Sequence, residues 1–307
     1  MNRTFVSNQV SVIIPTYKRA DMIVRAVESA LNQTCKTEVI VIDDNGKGTP
    51  EQLETEALLV PYQDRILYLV NETNCGPSGT RNHGIVKATG EFITFIDDDD
   101  EINPRKLEIQ MNCLKDKGPE YSCCYCDFSK LLQNGTVYSN GERMEGDVYP
   151  HMLGRMLYFG SGSNLLIRTS VLFEVGLFNE SMRRYEDYEL MRRLVNGYKL
   201  AHVKQNLMTI HYEVRAIVPT FEDLYVNDIA YFENAKDEIA KLPTKQQSLI
   251  YQVAGLERWR YGLPRKSKKD AFQILKDNHV SPVLFIRYVF YLIDRMVTKR
   301  SYGFKAF

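Results

Sequence analysis

The chain has 307 residues, of which 44% are hydrophobic and 25% are charged, and it contains 18 glycines and 11 prolines. This composition excludes a collagen-like, low-complexity or wholly disordered chain. At about 150 residues per domain, the length predicts two domains or one large α/β unit with an appended segment. Lysine plus arginine equals aspartate plus glutamate at 39 each, so the net charge of the whole chain does not indicate a polyanionic partner.

The distribution of charges and cysteines is more informative than their totals. From Arg260 onward, eleven Lys or Arg residues face three acids, a local net charge of +8 that leaves −8 for the preceding residues. Residues 1–9 contain one basic residue and no apolar stretch, so we expect no signal peptide and a cytosolic protein. Six scattered cysteines predict reduced, mostly buried thiols rather than a disulfide framework. Cys123 and Cys126 form a C-x-x-C, but a metal or redox site is not expected there, because the chain lacks a second Cys or His pair at zinc spacing.

The first hundred residues alternate between apolar runs and helical patterns. Strands are expected at 10–15, 38–42, 66–70 and 91–96, and helices between them at 21–32, 50–60 and 76–88. Short, continuous β-branched runs are typical of strands in a buried parallel sheet. The series therefore predicts βαβ units in the style of nucleotide-binding folds.

The rest of the chain predicts a mixed arrangement followed by helices. A helix is expected at 104–115 and a strand at 121–128, and Asn134-Gly135 predicts a hairpin turn into another strand. Further strands are expected at 165–167, 199–203 and 207–212, with a helix at 186–196. From residue 219 onward the pattern predicts helices only.

Polar residues follow three of the predicted strands. Thr16 and Tyr17 follow the first strand, Asp44 the second, and four aspartates at 97–100 follow the fourth. Because ligands bind beyond the carboxyl ends of parallel strands, one site could collect all three groups. Four successive aspartates repel one another, and a divalent cation with oxygen ligands would relieve that repulsion. The alternative is a solvated acidic loop that caps the helix at 104–115.

Five segments together resemble the family 2 glycosyltransferases, an inverting group with a GT-A nucleotide-sugar-binding fold. They are VSVIIPTYKR at 10–19, VIDDN at 41–45, NCGPSGTRNHGI at 74–85, FIDDDDEINP at 95–104, and GLFNE at 176–180 followed by Glu186-Asp187. Thr80 departs from the alanine that is usual in the third segment, whereas Pro104 fixes the alignment of Asp97 and Asp99 with the family's D-x-D pair. Each motif is weak alone, but their order and spacing over residues 10–212 make the resemblance specific.

The resemblance implies the fold class and the division of the chain. It implies an α/β GT-A fold, a Rossmann-like mixed sheet flanked by helices, with a helical C-terminal extension. The expected domains are a nucleotide-sugar-binding and catalytic domain at 1–215 and an extension at 216–307 that associates with a membrane or forms oligomers such as a homodimer.

The resemblance also implies a donor site. Asp44 would hydrogen-bond the nucleotide base, with Thr16 and Tyr17 lining the same pocket. Asp97 would approach the ribose and sugar, and Arg81 would donate to phosphate or to Asp97, with a structural ion pair as the alternative. The expected donor-binding residues are Pro15, Thr16, Tyr17, Asp44, Gly76, Arg81, Asp97 and Asp98.

Metal and acid–base roles follow from the same resemblance. Asp99 would bind Mn²⁺ or Mg²⁺ bridging the diphosphate, and His211 is the expected further metal ligand. Asp187 is the expected base that removes the proton from the attacking hydroxyl, with Glu186 as the fallback. A carboxylate of ordinary pKa suffices because the proton moves late. The alternative is that residues 185–187 only cap the helix that follows them.

The implied activity is metal-dependent transfer of a sugar from a nucleotide-sugar, with UDP as the expected nucleotide, to a saccharide or lipid-linked saccharide in surface polysaccharide assembly. A sugar-nucleotidyltransferase is an alternative, but residues 16–19 lack the glycine-rich loop that it requires. A receiver-like signalling module would be complete in about 120 residues and would leave the later acidic clusters without a role. A catalytically silent nucleotide-sugar binder stays open until turnover is measured.

The segment 282–297 is apolar and aromatic, but Arg287, Asp294 and Arg295 interrupt it below the length that spans a membrane. One interpretation is a helix lying on an anionic membrane, so that residues 260–307 hold a cytoplasmic protein at the inner face of the membrane. The other is a helix packed on the catalytic domain or in a dimer interface. Nucleic-acid binding is not expected, because no base-stacking motif accompanies the basic residues.

Overall fold

The computed structural model describes residues 3–212 and 219–307. Its first part contains strands β1 (Val6–Thr16), β2 (Lys36–Asp43), β3 (Ile66–Val70) and β4 (Gly90–Phe95), and helices α1 (Ala20–Leu31), α2 (Pro50–Leu59) and α3 (Gly76–Lys87). The strands are parallel in the order β4-β1-β2-β3. The predicted βαβ series is therefore confirmed element by element.

The middle of the chain extends this sheet with antiparallel strands. It contains strands β5 (Glu101–Ile102), β6 (Tyr121–Leu132), β7 (Val137–Asn140), β8 (Leu166–Arg168) and β9 (Lys199–Tyr212), and helices α4 (Lys106–Lys117), α5 (Tyr149–Leu153), α6 (Thr169–Val175) and α7 (Glu186–Leu194). Strand β8 lies antiparallel between β4 and β6, and the predicted hairpin joins β6 to β7. The sheet is thus mixed, as expected.

Strand β9 corrects the prediction of two separate strands at 199–203 and 207–212. It is one strand that pairs in parallel with β6, and the pairing passes from Cys126 opposite Val203 to Asp127 opposite Asn206. The two intervening residues, Lys204 and Gln205, are exposed. They form a bulge, which accommodates extra residues without ending the strand. Lys204 and Gln205 therefore look like a turn in the sequence, but in the structure they are an irregularity within one strand.

The last part of the chain is helical, as predicted, except at its end. It contains helices α8 (Phe221–Ile239), α9 (Thr244–Gly262), α10 (Lys268–Asp277) and α11 (Pro282–Thr298), and then strand β10 (Arg300–Ser301). Strand β10 was not predicted, and it pairs in parallel with β7 at the edge of the sheet. The expected domain boundary after residue 215 lies outside the described residues.

Apolar clusters cover both faces of the sheet. Alternate residues of β1 divide between them, with Val12 and Ile14 in one cluster and Ile13 in the other, as the two-residue period of a strand requires. A third cluster, which includes Tyr231 and Trp259, fills the helical region. Because both faces are covered, a ligand can reach the strands only at their ends. In sheets of this kind, ligands bind beyond the carboxyl ends.

Two further observations bear on the expectations from sequence. All six cysteines are free; Cys123, Cys124 and Cys126 are buried in β6, whereas Cys75 is exposed. Within residues 3–212 and 219–307, no helix combines the length and apolar character needed to cross a membrane.

Candidate active site

A pocket of about 350 Å³ opens at the carboxyl ends of β1 and β2. These strands are paired neighbours, with Thr16 opposite Asp43, so the residues that follow them lie side by side. The pocket is lined by Pro15, Thr16, Tyr17, Arg19, Asp44, Asn74, Gly76, Pro77, Thr80 and Asp98. Six of the eight expected donor-binding residues therefore share one pocket.

Asp44 is buried at the floor of this pocket and is held by the start of α3. One carboxylate oxygen accepts hydrogen bonds from the backbone N–H of Cys75 at 2.7 Å and from Asn71 Nδ2 at 2.7 Å. The other oxygen accepts from the N–H of Gly76 at 3.0 Å. Gly76 has a φ of +72°, a conformation that glycine adopts without strain. The carboxylate thus fixes the loop that enters α3.

A larger cavity of about 980 Å³ adjoins the pocket. Both are lined by Pro15, Tyr17, Arg19, Pro77 and Asp98. The larger cavity is also lined by Lys18, Asp21, Met22, Arg81, Asp97, Asp99, Gly160, Ser161, Gly162, Arg183, Arg184, Tyr185, Glu186, Asp187 and Tyr188. Every expected site residue except His211 therefore lines one of two adjoining spaces.

Two arginines each pair with two of the acids between the two spaces. Arg81 donates to Asp97 Oδ1 at 2.7 Å and to Glu186 Oε1 at 3.3 Å. Arg19 donates to Asp98 at 3.0 Å and to Asp99 at 2.6 Å. The ion pair expected as the alternative for Arg81 is thus present, and Arg19 has a role that sequence reasoning missed.

Asp98 is the most confined of the paired acids in this group. Its second carboxylate oxygen accepts a hydrogen bond from Thr16 Oγ1 at 2.9 Å. Burial raises the pKa of Asp98 to about 6, against the opposing effects of the Arg19 charge and the Thr16 hydroxyl. Asp98 therefore ties the ends of β1 and β4 together.

Asp97, Asp99 and Asp100 can each present a carboxylate oxygen within 4.8 Å of the others. Asp100 is buried; its Oδ2 accepts from Ser161 Oγ at 3.2 Å, while its Oδ1 has no hydrogen-bond partner. Burial and repulsion by Asp97 hold the pKa of Asp100 well above its ordinary value. The hydroxyls of Ser163 and Ser161 oppose this rise but bring no positive charge. Three carboxylates this close together, one of them buried, fit a divalent cation that takes oxygen ligands.

His211, the other expected metal ligand, is not a member of this acidic group. Its Nε2 lies 3.4 Å from Glu101 Oε2, across the pairing of β9 with β5. Among the described residues, the third carboxylate of the group is that of Asp100. The sequence contained a signal for the membership of Asp100, because this residue belongs to the same acidic run as Asp97 and Asp99.

Asp187 lies in the first turn of α7, facing the larger cavity. The preceding Tyr185 has a φ of +64°, a strained value for a residue with a side chain, and it turns the chain abruptly into the helix. Asp187 Oδ1 accepts the backbone N–H of Tyr188 at 2.8 Å. Burial and the neighbouring Glu186 charge raise the pKa of Asp187 to about 7. A raised pKa makes this carboxylate a stronger base than an ordinary one, which the late proton transfer considered for the sequence does not require.

Comparison with known proteins identifies the family. Residues 11–176, more than half of the chain, match the family model described as glycosyl transferase family 2. The chain belongs to this family. The match includes the strands, acidic run and glycine-containing segment on which the resemblance was based, and it ends at Gly176, before Glu186 and Asp187.

Relatives of this family 2 chain are named as glycosyltransferases. An uncharacterized glycosyltransferase of Rickettsia prowazekii is 32% identical over 199 residues, which cover 62% of this chain and 59% of that protein. The chain thus matches about three fifths of the length of that relative. A Campylobacter jejuni protein, named GalNAc(5)-diNAcBac-PP-undecaprenol beta-1,3-glucosyltransferase, is 41% identical over 96 residues, or 31% of this chain and 30% of that protein.

The fold is also found in a solved structure. The crystal structure of Staphylococcus aureus TarS residues 1–349 in complex with UDP-GlcNAc superposes with a TM-score of 0.67 at 18% identity, covering 95% of this chain and 88% of that one. The GT-A fold class expected for a family 2 chain is confirmed by this likeness. It also extends over the helical region that follows residue 219.

Proposed function

We propose that the protein is an inverting glycosyltransferase that moves a sugar from a nucleotide-sugar, with UDP as the nucleotide, to a saccharide acceptor. The observation that carries this proposal is the continuity of the two adjoining spaces. The pocket beside Asp44 has the size of a small-ligand site and a mainly apolar lining with a few polar groups, and it leads past the aspartates at 97–99 to Asp187. A donor lying along this path would present its sugar to the larger cavity.

In this proposal the smaller pocket holds the nucleoside. Tyr17 is 44% exposed at its rim and offers an aromatic face, while Thr16 and Asp44 supply polar edges. Pro15 and Gly76 bring the backbone close to the ligand. Asp97 and Asp98 then lie toward the ribose and sugar, with Arg81 fixing the orientation of Asp97.

Asp99, with Asp97 and Asp100, would hold Mn²⁺ or Mg²⁺, which when bound supplies positive charge against the diphosphate of the departing nucleotide. The protein's own contribution is to keep these carboxylates together. Arg19 offsets part of their mutual repulsion, and Ser161 orients the buried Asp100. His211 would join this set only if β9 moved its imidazole away from Glu101.

Asp187 is the proposed base. As the acceptor oxygen forms its bond to C1 of the sugar, the bond from C1 to the diphosphate breaks, and the hydroxyl proton passes to the Asp187 carboxylate. Glu186 is less suited to this role because its carboxylate is already paired with Arg81. Attack from the side opposite the leaving group inverts the configuration at C1.

The proposed acceptor is a saccharide or a lipid-linked saccharide, used in surface polysaccharide assembly. The relative named for an undecaprenol-linked acceptor supports this class, although it aligns with only 31% of the chain. We propose that the enzyme works on the cytoplasmic side, at the inner face of a membrane, with contact through residues 260–307. Residues 1–215 would form the catalytic unit, and the extension at 216–307 would carry the contact or a homodimer interface.

The test is calorimetric titration of UDP, GDP, dTDP and CDP into the protein, each with and without Mn²⁺. We expect micromolar binding of UDP that depends on the metal. Binding of a different nucleotide would change the proposed donor class, and binding of none would contradict the proposal. Hydrolysis or transfer from the matching nucleotide-sugar, followed as nucleotide release, then separates an enzyme from a silent binder.

A further inference from the structure

Helix α11 packs on the molecule through one apolar face. Leu284, Tyr288 and Tyr291 are its buried residues. The ring of Tyr288 lies 5.0 Å from that of Phe304, and its hydroxyl donates to Glu257 Oε1 at 2.5 Å. The helix is therefore fixed to α9 and to the segment that follows α11. These contacts lie within the expected extension at 216–307.

The opposite side of α11 is also apolar, and it is bare. Its exposed large apolar residues, with their exposed fractions, are Val283 (70%), Ile286 (54%), Phe290 (67%), Ile293 (46%), Met296 (69%) and Val297 (72%). The charged residues Arg287 and Asp294 are also exposed and lie along one edge of this set. Positions 283, 286, 290, 293 and 297 follow the spacing of three and four residues that lines one side of a helix. We call this set the apolar stripe. Single exposed apolar residues are common, but a continuous row along the whole of a helix is not.

The apolar stripe has a cationic border on α10. Phe272 of α10 is 48% exposed, and its ring lies 6.2 Å from that of Phe285, between the two faces of α11. The exposed residues Lys268, Lys269 and Lys276 stand four and three residues before Phe272 and four after it, so they share its side of α10. Two more exposed cations, Lys299 and Arg300, follow the end of the stripe.

The acids near the stripe are already engaged. Asp294, beside Ile293, accepts a hydrogen bond from the Tyr302 hydroxyl. On α10, Asp270 accepts from Ser267 Oγ at 2.7 Å and Asp277 from Gln273 Nε2 at 2.8 Å. These neutral donors leave each carboxylate charged. The surface around the stripe is nevertheless net positive, because these three acids are outnumbered by five exposed cations, Lys268, Lys269, Lys276, Lys299 and Arg300.

We propose that the apolar stripe and its lysine border seat the protein on an anionic lipid surface. Apolar side chains of an interfacial helix enter the boundary between headgroups and acyl chains, while lysines beside them attract anionic headgroups. The helix lies flat on the surface, because its buried face is held by α9. The role of this membrane contact rests on the proposed function, since a lipid-linked acceptor is presented at such a surface.

A second copy of the chain fits the stripe less well. A helix of 17 residues is about 25 Å long and about 10 Å wide. Its flat footprint is therefore roughly 250 Å², so a stable contact, which buries about 800 Å² of accessible surface per partner, would have to extend well beyond the helix. A twofold contact would also bring the two lysine borders toward each other, which like charges oppose. A lipid surface has neither restriction.

The test is co-sedimentation of the full chain with phosphatidylcholine vesicles and with mixed phosphatidylglycerol–phosphatidylcholine vesicles. The test variant is Ile286→Glu/Phe290→Glu. The matched control is Leu58→Glu/Val226→Glu, which adds the same charge at exposed apolar positions of α2 and α8. Deleting residues 282–307 is unsuitable, because it also removes β10 and the ion pair of Lys305 with Glu142.

We expect wild type to bind the mixed vesicles better than the neutral ones, with binding weakened by salt. Binding should fall roughly tenfold or more in the stripe variant and stay within about twofold in the control. Equal losses in both variants, no loss in either, or no binding by wild type would overturn the proposal. So would a stripe variant that changes a dimer to a monomer, seen by light scattering, without affecting vesicle binding.

Nucleotide titration of the same proteins keeps the two proposals apart. The stripe variant should keep its metal-dependent UDP affinity, because the stripe residues do not line the pocket or the larger cavity. Vesicle binding without UDP binding would reject the proposed function only. UDP binding without vesicle binding in the wild type would reject the lipid surface only.

Discussion

Arg81 donates a hydrogen bond of 2.7 Å to Asp97, which joins helix α3 to the end of strand β4. The same guanidinium reaches Glu186 at the start of α7, so one cation holds acids from two distant parts of the chain. Its side chain is only 10% exposed, so its charge is poorly screened by solvent. The arrangement of the larger cavity depends on this one residue.

Replacing Arg81 should destabilise the fold. Arg81→Ala leaves two carboxylates facing each other without a counter-charge, and we expect a loss of about 2 to 4 kcal/mol in the free energy of unfolding. Urea denaturation measures it. The control is Lys47→Ala, which breaks an exposed ion pair with Glu72 and should cost less than about 0.5 kcal/mol. Similar losses for the two variants would mean that the ion pairs of Arg81 do not stabilise the fold more than an exposed ion pair does.

Asp187→Asn should abolish transfer and leave nucleotide binding intact. The amide oxygen can still accept the Tyr188 N–H bond, so the first turn of α7 should keep its shape. A drop in kcat of roughly a thousandfold is expected for a missing base, with the UDP affinity unchanged. Glu186→Gln is the comparison. If Glu186→Gln loses more activity than Asp187→Asn, the fallback residue is the base.

The pH dependence of transfer should reflect the raised pKa of Asp187. A base must be deprotonated, and burial holds this pKa at about 7, so kcat/KM should fall about tenfold for each pH unit below that value. Circular dichroism over the same range checks that the protein stays folded. A profile that is flat down to about pH 5 would indicate a base with an ordinary carboxyl pKa.

Asp99, a member of the acidic group, should respond to substitution differently from an acid of the same cavity that lies outside the group. Asp99→Ala should weaken Mn²⁺-dependent UDP binding, whereas Asp21→Ala, which removes an exposed acid lining the same cavity, should not. Calorimetry measures both affinities. Equal affinities for the two variants would remove Asp99 from the proposed metal site.

Asp100→Asn should increase stability in the absence of metal. Because the folded pKa of Asp100 is raised, the folded state loses stability as pH rises above the unfolded pKa near 4. The amide carries no charge, so the variant should be more stable than wild type at neutral pH, with no gain in strong acid. Thermal unfolding at both pH values measures it, and a gain that does not depend on pH would contradict this explanation.

Gly303→Ala tests how firmly the segment after α11 is attached. A Cβ at this glycine would collide with the backbone oxygen of Met156, so the backbone must shift to admit it. We expect a loss of about 2 kcal/mol or more in unfolding free energy. At Gly262 the nearest atom is a side-chain carbon 3.2 Å away, so Gly262→Ala should cost clearly less. Equal effects would indicate that the segment yields easily.

The central strands and their acidic ends could be predicted from the sequence because both depend on local patterns. Residues 39–42 of β2 are apolar whatever surrounds them, and Asp43 and Asp44 follow them directly in the sequence. The interactions of Arg19 and Asp100 could not be predicted in this way. Arg19 pairs with acids 79 and 80 residues away, and Asp100 acquires its raised pKa only when folding removes it from water.

Other features that the sequence did not reveal also depend on long-range structure. The bulge at Lys204 and Gln205 exists because β6 continues past it as a partner, which no local pattern records. His211 follows an apolar run, as the metal-ligand expectation required, but the pairing of β9 with β5 sets it beside Glu101. The raised pKa of Asp187 likewise depends on the elements that enclose it.

Strand β10 pairs with β7 across a separation of 161 residues, with Arg300 opposite Ser139. During synthesis, β7 is therefore an open edge whose backbone donors and acceptors have no partner until β10 leaves the ribosome. At about 5 to 20 residues per second, that interval lasts roughly 8 to 30 s. The nascent chain should be most prone to aggregation in this interval, and chaperone binding should be strongest before the last ten residues emerge.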